Sequence, residues 1–168
     1  RRFQTKLELF WQMVQRCQRE GVPFAAVAMD GLYGQSFWLR QQLAQAHIEF
    51  YADVPANTQV YLREPVIGLP QSCRGPKATK LRVLAPQVYR VDQLRQHPHA
   101  LWQTLTLRPT ERGWLVADFA RLPVWTVQDD LTVTAYWLLM RRQGKKVSYS
   151  LSNAPADTPL QIMALRKS

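Results

Sequence analysis

The stretch that most constrains the fold is Phe24–Gly34, FAAVAMDGLYG. An almost entirely nonpolar run, Phe24 to Met29, leads into Asp30, with Pro23 before it and Gly31 and Gly34 after it. A short apolar run closed by such breakers predicts a buried strand. Asp30 then stands at the end of that strand, the position where α/β folds bind their ligands. Two roles follow from this placement. Asp30 can cap the turn that follows, as an Asp before Gly commonly does. It can also present its carboxylate to a ligand from a rigid element.

The flanking segments build an α/β frame. Thr5-Lys6-Leu7-Glu8 forms a capping box. Leu7, Phe10, Val14 and Cys17 then recur at helical spacing with Trp11 beside them, and Gly21 and Pro23 stop the chain from continuing as a helix. The first helix is therefore expected from Lys6 to about Glu20. A second helix is expected from about Gln35 to Ala46, with Leu39, Leu43 and Ala46 on one face and Arg40 on another. Ile48–Val54 reads as a second strand, closed by Pro55. Helix, strand, helix, strand favours a parallel pair of strands.

Composition changes after this frame. Residues 62–86 hold Pro65, Gly68, Pro70, Gly75, Pro76 and Pro86, together with Arg63, Arg74, Lys77, Lys80 and Arg82 against the single acid Glu64. That mixture predicts a mobile loop. Its cations suit a phosphate backbone, or simply a solvated surface. From Tyr89 the pattern turns to strands: Leu101–Arg108, Gly113–Val127 with a break at Pro123, and Leu131–Met140. A basic turn of Arg141, Arg142, Gln143, Gly144, Lys145 and Lys146 leads to a return strand over Val147–Leu151, a hairpin with a longer loop. Trp102, Trp114, Trp125 and Trp137 fit sheet faces better than base-stacking platforms. Thr158 is placed to cap a final helix with Pro159 in its first turn.

The chain has 22 Lys and Arg against 12 Asp and Glu, a formal charge of +10. Such an excess favours a polyanionic partner, most simply nucleic acid. Cys17 and Cys73 share no metal-ligand spacing and suggest no disulfide framework. No apolar run approaches the length of a membrane span. There is no glycine-rich phosphate loop, nucleophile elbow or zinc spacing, and His47, His97 and His99 form no metal pattern. Arg1-Arg2-Phe3 opens the chain without Met, which suggests a piece of something longer.

FQTKLEL, GVPFAAVAMDGLYG, YLREP and SLSNAPADTPL, in that order, resemble the catalytic domain of bacterial insertion-sequence transposases of the DDE type. The resemblance implies an α/β fold: a partial ribonuclease-H-like core interrupted by a β-rich insertion. Residues 1–56 would belong to the core, 57–153 to the insertion with its basic loop at 62–86, and 154–168 to the start of the last core helix. It implies metal-dependent cleavage and strand transfer of DNA, with three acids holding two divalent ions, Mg²⁺ or Mn²⁺. Asp30 matches the second acid, in a D-x-x-Y-G setting. The first Asp would lie upstream of Arg1 and the final Glu shortly after Ser168, so this stretch alone is not expected to cleave DNA.

Gly31 and Gly34 would leave room for backbone turns and a close approach by DNA, and Tyr33 would lie near the site. Arg63, Arg74, Lys77, Lys80, Arg82, Arg141, Arg142, Lys145 and Lys146 are the candidate DNA contacts. Asp53 ends the second strand and is an outside candidate for the site; Asp129 and Asp130 read as structural. The implied partners are double-stranded DNA, both element ends and target, and further copies of the protein, in the bacterial cytoplasm at the nucleoid rather than at a membrane. Two other readings compete. One is a DNA-binding remnant or co-opted module without catalysis. The other is a nucleotide-binding enzyme with Asp30 on a ribose, which lacks the required glycine-rich turn.

Overall fold

A computed structural model describes residues 3–70, 79–111 and 113–168. Helix α1 spans Lys6–Arg19. Its capping box forms as expected: the Glu8 amide donates to Thr5 Oγ1 at 3.2 Å and the Thr5 amide donates to Glu8 Oε2 at 2.7 Å. Leu7, Phe10, Trp11 and Val14 turn towards the core. Strand β1 is Val27–Met29, followed by a single-turn helix α2 over Gly31–Gly34, helix α3 over Phe37–Gln45 and strand β2 over Phe50–Val54. β1 and β2 pair in parallel, with Val27 opposite Phe50 and Met29 opposite Ala52.

Three expectations in this frame need correction. β1 is shorter than the apolar run and lies at the edge of the sheet, so only its last residue, Met29, is buried. The Asp30 turn is helical. α3 begins at Phe37 rather than Gln35, because the Ser36 hydroxyl accepts from the Leu39 amide and sets the start there.

The remaining strands are β3 (Gln59–Tyr61), β4 (Val66–Gly68), β5 (Arg82–Ala85), β6 (Val88–Arg90), β7 (Gln103–Thr110), β8 (Gly113–Val127), β9 (Val133–Gln143) and β10 (Lys146–Ser152). A short 3₁₀ turn over Gln93–Gln96 follows β6, and helix α4 covers Leu160–Lys167. An eight-stranded sheet runs β1-β2-β10-β9-β8-β3-β6, with β7 also paired to β8. The antiparallel β10 lies directly against β2, so the strands after residue 57 extend the same sheet that the parallel pair begins. The fold is a partial ribonuclease-H-like α/β core. Its two faces are covered differently. α1 and α3 pack on one face over Phe50, Ala52, Leu122 and Leu138, while α4 packs on the other over Tyr51, Phe119 and Leu139.

The strand-rich part departs from expectation in four places. The stretch read as a loop, 62–86, carries β4 and β5, which pair antiparallel as a separate two-stranded sheet. β8 does not break at Pro123. That residue falls between the partners of β7, which end at Phe119, and of β3, which begin at Trp125, so β8 has a neighbour on one side only and a missing amide is tolerated. The basic turn is tight: Gln143 pairs with Lys146, Gly144 takes φ +58°, and Arg141 and Arg142 belong to β9. Thr158 does not cap α4. Pro159 precedes the helix, and the Thr158 carbonyl accepts from the Arg121 guanidinium instead.

Asp118 clamps three strands. Its carboxylate accepts from Thr104 Oγ1 on β7 at 2.6 Å and from Arg142 Nε on β9 at 3.0 Å. The Thr104 hydroxyl, and then Arg142, hold this carboxyl below the usual carboxylate range. A depressed carboxylate adds stability above its unfolded pKa and loses it as pH falls. Asp118→Asn is therefore expected to lower the melting temperature at pH 7, and the gap from the parent should close as pH drops below about 4. Melting curves from pH 7 to 2.5 check this; a gap that stays constant would mean that the charge of Asp118 contributes nothing.

Candidate active site

Asp30 ends β1 and caps α2. Its Oδ1 accepts from the amides of Leu32 at 3.0 Å and Tyr33 at 3.3 Å. Both roles foreseen for this residue are compatible, because the cap occupies one oxygen. Oδ2 has no hydrogen-bond partner among the described residues, and Asp30 is exposed. The carboxylate is thus held by backbone amides on one side and open on the other.

Gly34 fixes the turn. A Cβ at this position would stand 2.2 Å from the Asp53 carbonyl oxygen and 2.7 Å from the Asp53 nitrogen. The close approach that this glycine permits is by the backbone of β2. Gly31 differs, since a Cβ there would meet only Gln35 Nε2, at 3.9 Å. Tyr33 packs its ring against Phe10 of α1, with centroids 4.9 Å apart, and so ties the turn to the first helix.

Sequence reasoning missed the residue that locks this turn from behind. Arg40 was expected off the apolar face of α3, yet it is buried. Its NH1 donates to the Gly34 carbonyl, and its guanidinium lies over the rings of Tyr136 at 5.7 Å and Phe37 at 6.0 Å. A cation over aromatic faces with a carbonyl acceptor is a tolerated form of burial. Nothing local in the sequence signals it, since the acceptor and one ring come from other elements.

Asp53 lies one step beyond the last β1–β2 register pair, beside Asp30. Its Oδ1 accepts from Ser150 Oγ on β10 at 2.6 Å and from Lys167 Nζ on α4 at 2.7 Å. The neighbouring Arg166 pairs with Glu49, just before β2, and Glu49 also accepts from the Tyr51 hydroxyl at 2.6 Å. Burial, reinforced by Glu49, pushes the Tyr51 phenol far above its ordinary range. Two ion pairs therefore tie the last turn of α4 to both ends of β2. Only a Lys and an Arg near the end of a helix hinted at this in the sequence.

The basic residues divide by place. Arg141, Arg142, Lys145 and Lys146 sit on the β9–β10 hairpin. Ser150 is opposite Asp53, so this hairpin projects past the carboxyl ends of β1 and β2, from the same end of the sheet as Asp30. Lys145 and Lys146 are exposed there. Arg142 also contacts Asp118 and stacks on Trp102 at 4.7 Å, while Arg141 is half-buried and bonds Gln143. Arg63, Lys80 and Arg82 are exposed around the β4–β5 pair. Arg74 and Lys77 lie outside the described residues. Asp130 closes the turn before β9 by accepting from the Thr132 amide, which holds its carboxyl low.

Among the described residues no group of three His, Cys, Asp or Glu is placed to hold a metal. Asp30 offers a single ligand, its Oδ2, an oxygen of the hard type that divalent cations take. Asp53 differs in its charge balance, because Lys167 and Ser150 both bond its Oδ1 and Lys167 offsets its charge.

A family model described as DDE superfamily endonuclease matches residues 1–118. No curated protein matches the chain, and no solved structure does.

Two predictions follow from this geometry. Gly34→Ala is expected to cost about 1–3 kcal/mol, since backbone must move to admit the methyl group, while Gly31→Ala should be near neutral. Urea denaturation of both variants checks the contrast; equal effects would remove Gly34 from its role as spacer. Asp53→Asn and Lys167→Met are expected to couple by about 1–2 kcal/mol in a double-mutant cycle, and additive effects would show that the pair does not hold α4 to β2.

Proposed function

Because the chain belongs to the DDE superfamily of endonucleases, we propose that it forms the central part of the catalytic domain of a DNA transposase. In this reading the protein cuts and rejoins double-stranded DNA during movement of a bacterial insertion sequence, and copies of it bridge the two element ends. The observation that carries the reading is Asp30. Its carboxylate is anchored through one oxygen and open through the other, at the end of a strand held by backbone contact.

Endonucleases of this family use divalent metal ions, and Mg²⁺ or Mn²⁺ suits a carboxylate donor. When bound, such ions supply Lewis acidity to the attacking and leaving oxygens of a phosphodiester. The residues of this chain supply position. The α2 amides fix Asp30, Gly34 and Arg40 fix α2, and Lys145 and Lys146 extend past the same end of the sheet to meet phosphate. In this reading two further acids complete the metal site with Asp30. Support comes from the last turn of α4, whose Lys167 pairs with Asp53, the neighbour of Asp30 across the β1–β2 register.

A second reading, a DNA-binding module without catalysis, draws on the same basic hairpin and on Lys167 at Asp53. The variant that separates the two is Asp30→Asn in the intact protein. Cleavage and strand transfer on an element-end duplex with Mg²⁺ should fall to the detection limit. DNA affinity, which rests on phosphate contacts, should change by less than about threefold. Retained cleavage would remove Asp30 from the active site. DNA binding that is indifferent to divalent ions and tightens in Asp30→Asn, with no cleavage by the parent, would favour the module.

A further inference from the structure

At the far edge of the sheet from Asp30, a cleft of about 460 Å³ opens where β3 and β6 meet the segment after the 3₁₀ turn. Arg63, Gln87, Tyr89, His97 and His99 line it. No Asp or Glu is among its described lining residues. Arg63 is exposed and has no hydrogen-bond or ion-pair partner among the described residues. The rings of His97 and His99 lie 5.3 Å apart, and His97 Nδ1 accepts from the His99 amide at 3.3 Å. That bond leaves the proton of the neutral His97 ring on Nε2, where it is a donor. The cleft thus gathers a guanidinium, an imidazole N–H, an amide and a phenol, with no carboxylate against them. Such a set of donors suits a phosphate oxygen.

We propose that this cleft holds one backbone phosphate of the DNA, at a distance from the cut. The proposal rests on the DNA-cleaving reading above and adds a second anchoring point to it. The sheet sets the spacing. Seven strands in the path from β1 to β6 leave six gaps between them. At about 4.8 Å per gap the cleft lies on the order of 25–30 Å from Asp30. A duplex rises about 3.4 Å per base pair, so the held phosphate should fall roughly seven to nine base pairs from the cut.

The closing experiment uses the 168-residue chain and a duplex of random sequence. Affinity is measured against salt for the parent and for Arg63→Gln, an exposed change that leaves packing intact. Side-chain NMR follows His97 and His99 during titration with the duplex, and separately with inorganic phosphate at equal ionic strength. The expected result is a salt slope reduced by about one in Arg63→Gln. His97 and His99 resonances should move with duplex at concentrations where free phosphate leaves them in place. Binding of duplex with an unchanged slope and unmoved histidines would overturn the cleft while leaving DNA binding standing. Movement with free phosphate alone would overturn the assignment to DNA. Failure of the parent to bind duplex at all would overturn the broader reading and the cleft with it.

Discussion

The carboxyl end of the sheet depends on a missing side chain. Gly34 rests on the backbone of Asp53 so closely that no Cβ fits between them. Backbone packed on backbone leaves little freedom to slide, because close-packed interiors resist even small displacements. α2 is therefore wedged against β2, although it is too short to be stable alone. Arg40 secures it through the Gly34 carbonyl, and Tyr33 secures it through Phe10. Asp30 begins this wedged turn, so the position of its carboxylate follows from contacts made four residues later.

The same strand, β2, carries the other half of the arrangement. One face meets α3 and the other meets α4. Ion pairs at Glu49 and Asp53 bind α4 at the two ends of that strand, which fixes the helix along its axis as well as against the sheet. Apolar packing by Met163 and Ala164 alone would leave that position loosely set, since burial has no direction. Charges at defined points supply the register. Arg121, stacked over Trp137 at 4.5 Å and bonded to the Thr158 carbonyl, does the same for the chain entering the helix.

What could be read from the sequence was local. The capping box, the stop at Gly21 and the cap at Asp30 all depend on residues within a few positions of one another, and the parallel order of the first two strands follows from the helix–strand alternation between them. What could not be read depends on distant partners. Arg40 looks like a surface residue of its helix until Tyr136 is brought over it. Pro123 looks like a strand breaker until the sheet shows a neighbour missing on one side of β8. The Pro- and Gly-rich stretch at 62–86 looks unstructured, yet Val66–Gly68 finds Arg82–Ala85, a pairing with no local signal. Asp53 could be placed beside Asp30 from parallel pairing, but nothing near it in sequence announces Lys167.

That last pair bears on how Asp30 stays available. Two carboxylates at the ends of neighbouring parallel strands repel, and the repulsion grows where solvent is displaced. If both faced an incoming phosphodiester unpaired, each would oppose the substrate. Here one of them is already neutralised from below by Lys167 and bonded by Ser150. The other spends a single oxygen on its own backbone. The sheet end therefore presents one carboxylate that no cation pairs among the described residues beside one that Lys167 pairs, with Lys145 and Lys146 exposed on the adjacent hairpin. A cap alone would explain the Asp, and charge alone would explain the lysines. Their meeting at one end of the sheet, on a turn whose Gly34 admits no side chain, is what favours the reading of Asp30 as a site over that of a cap alone.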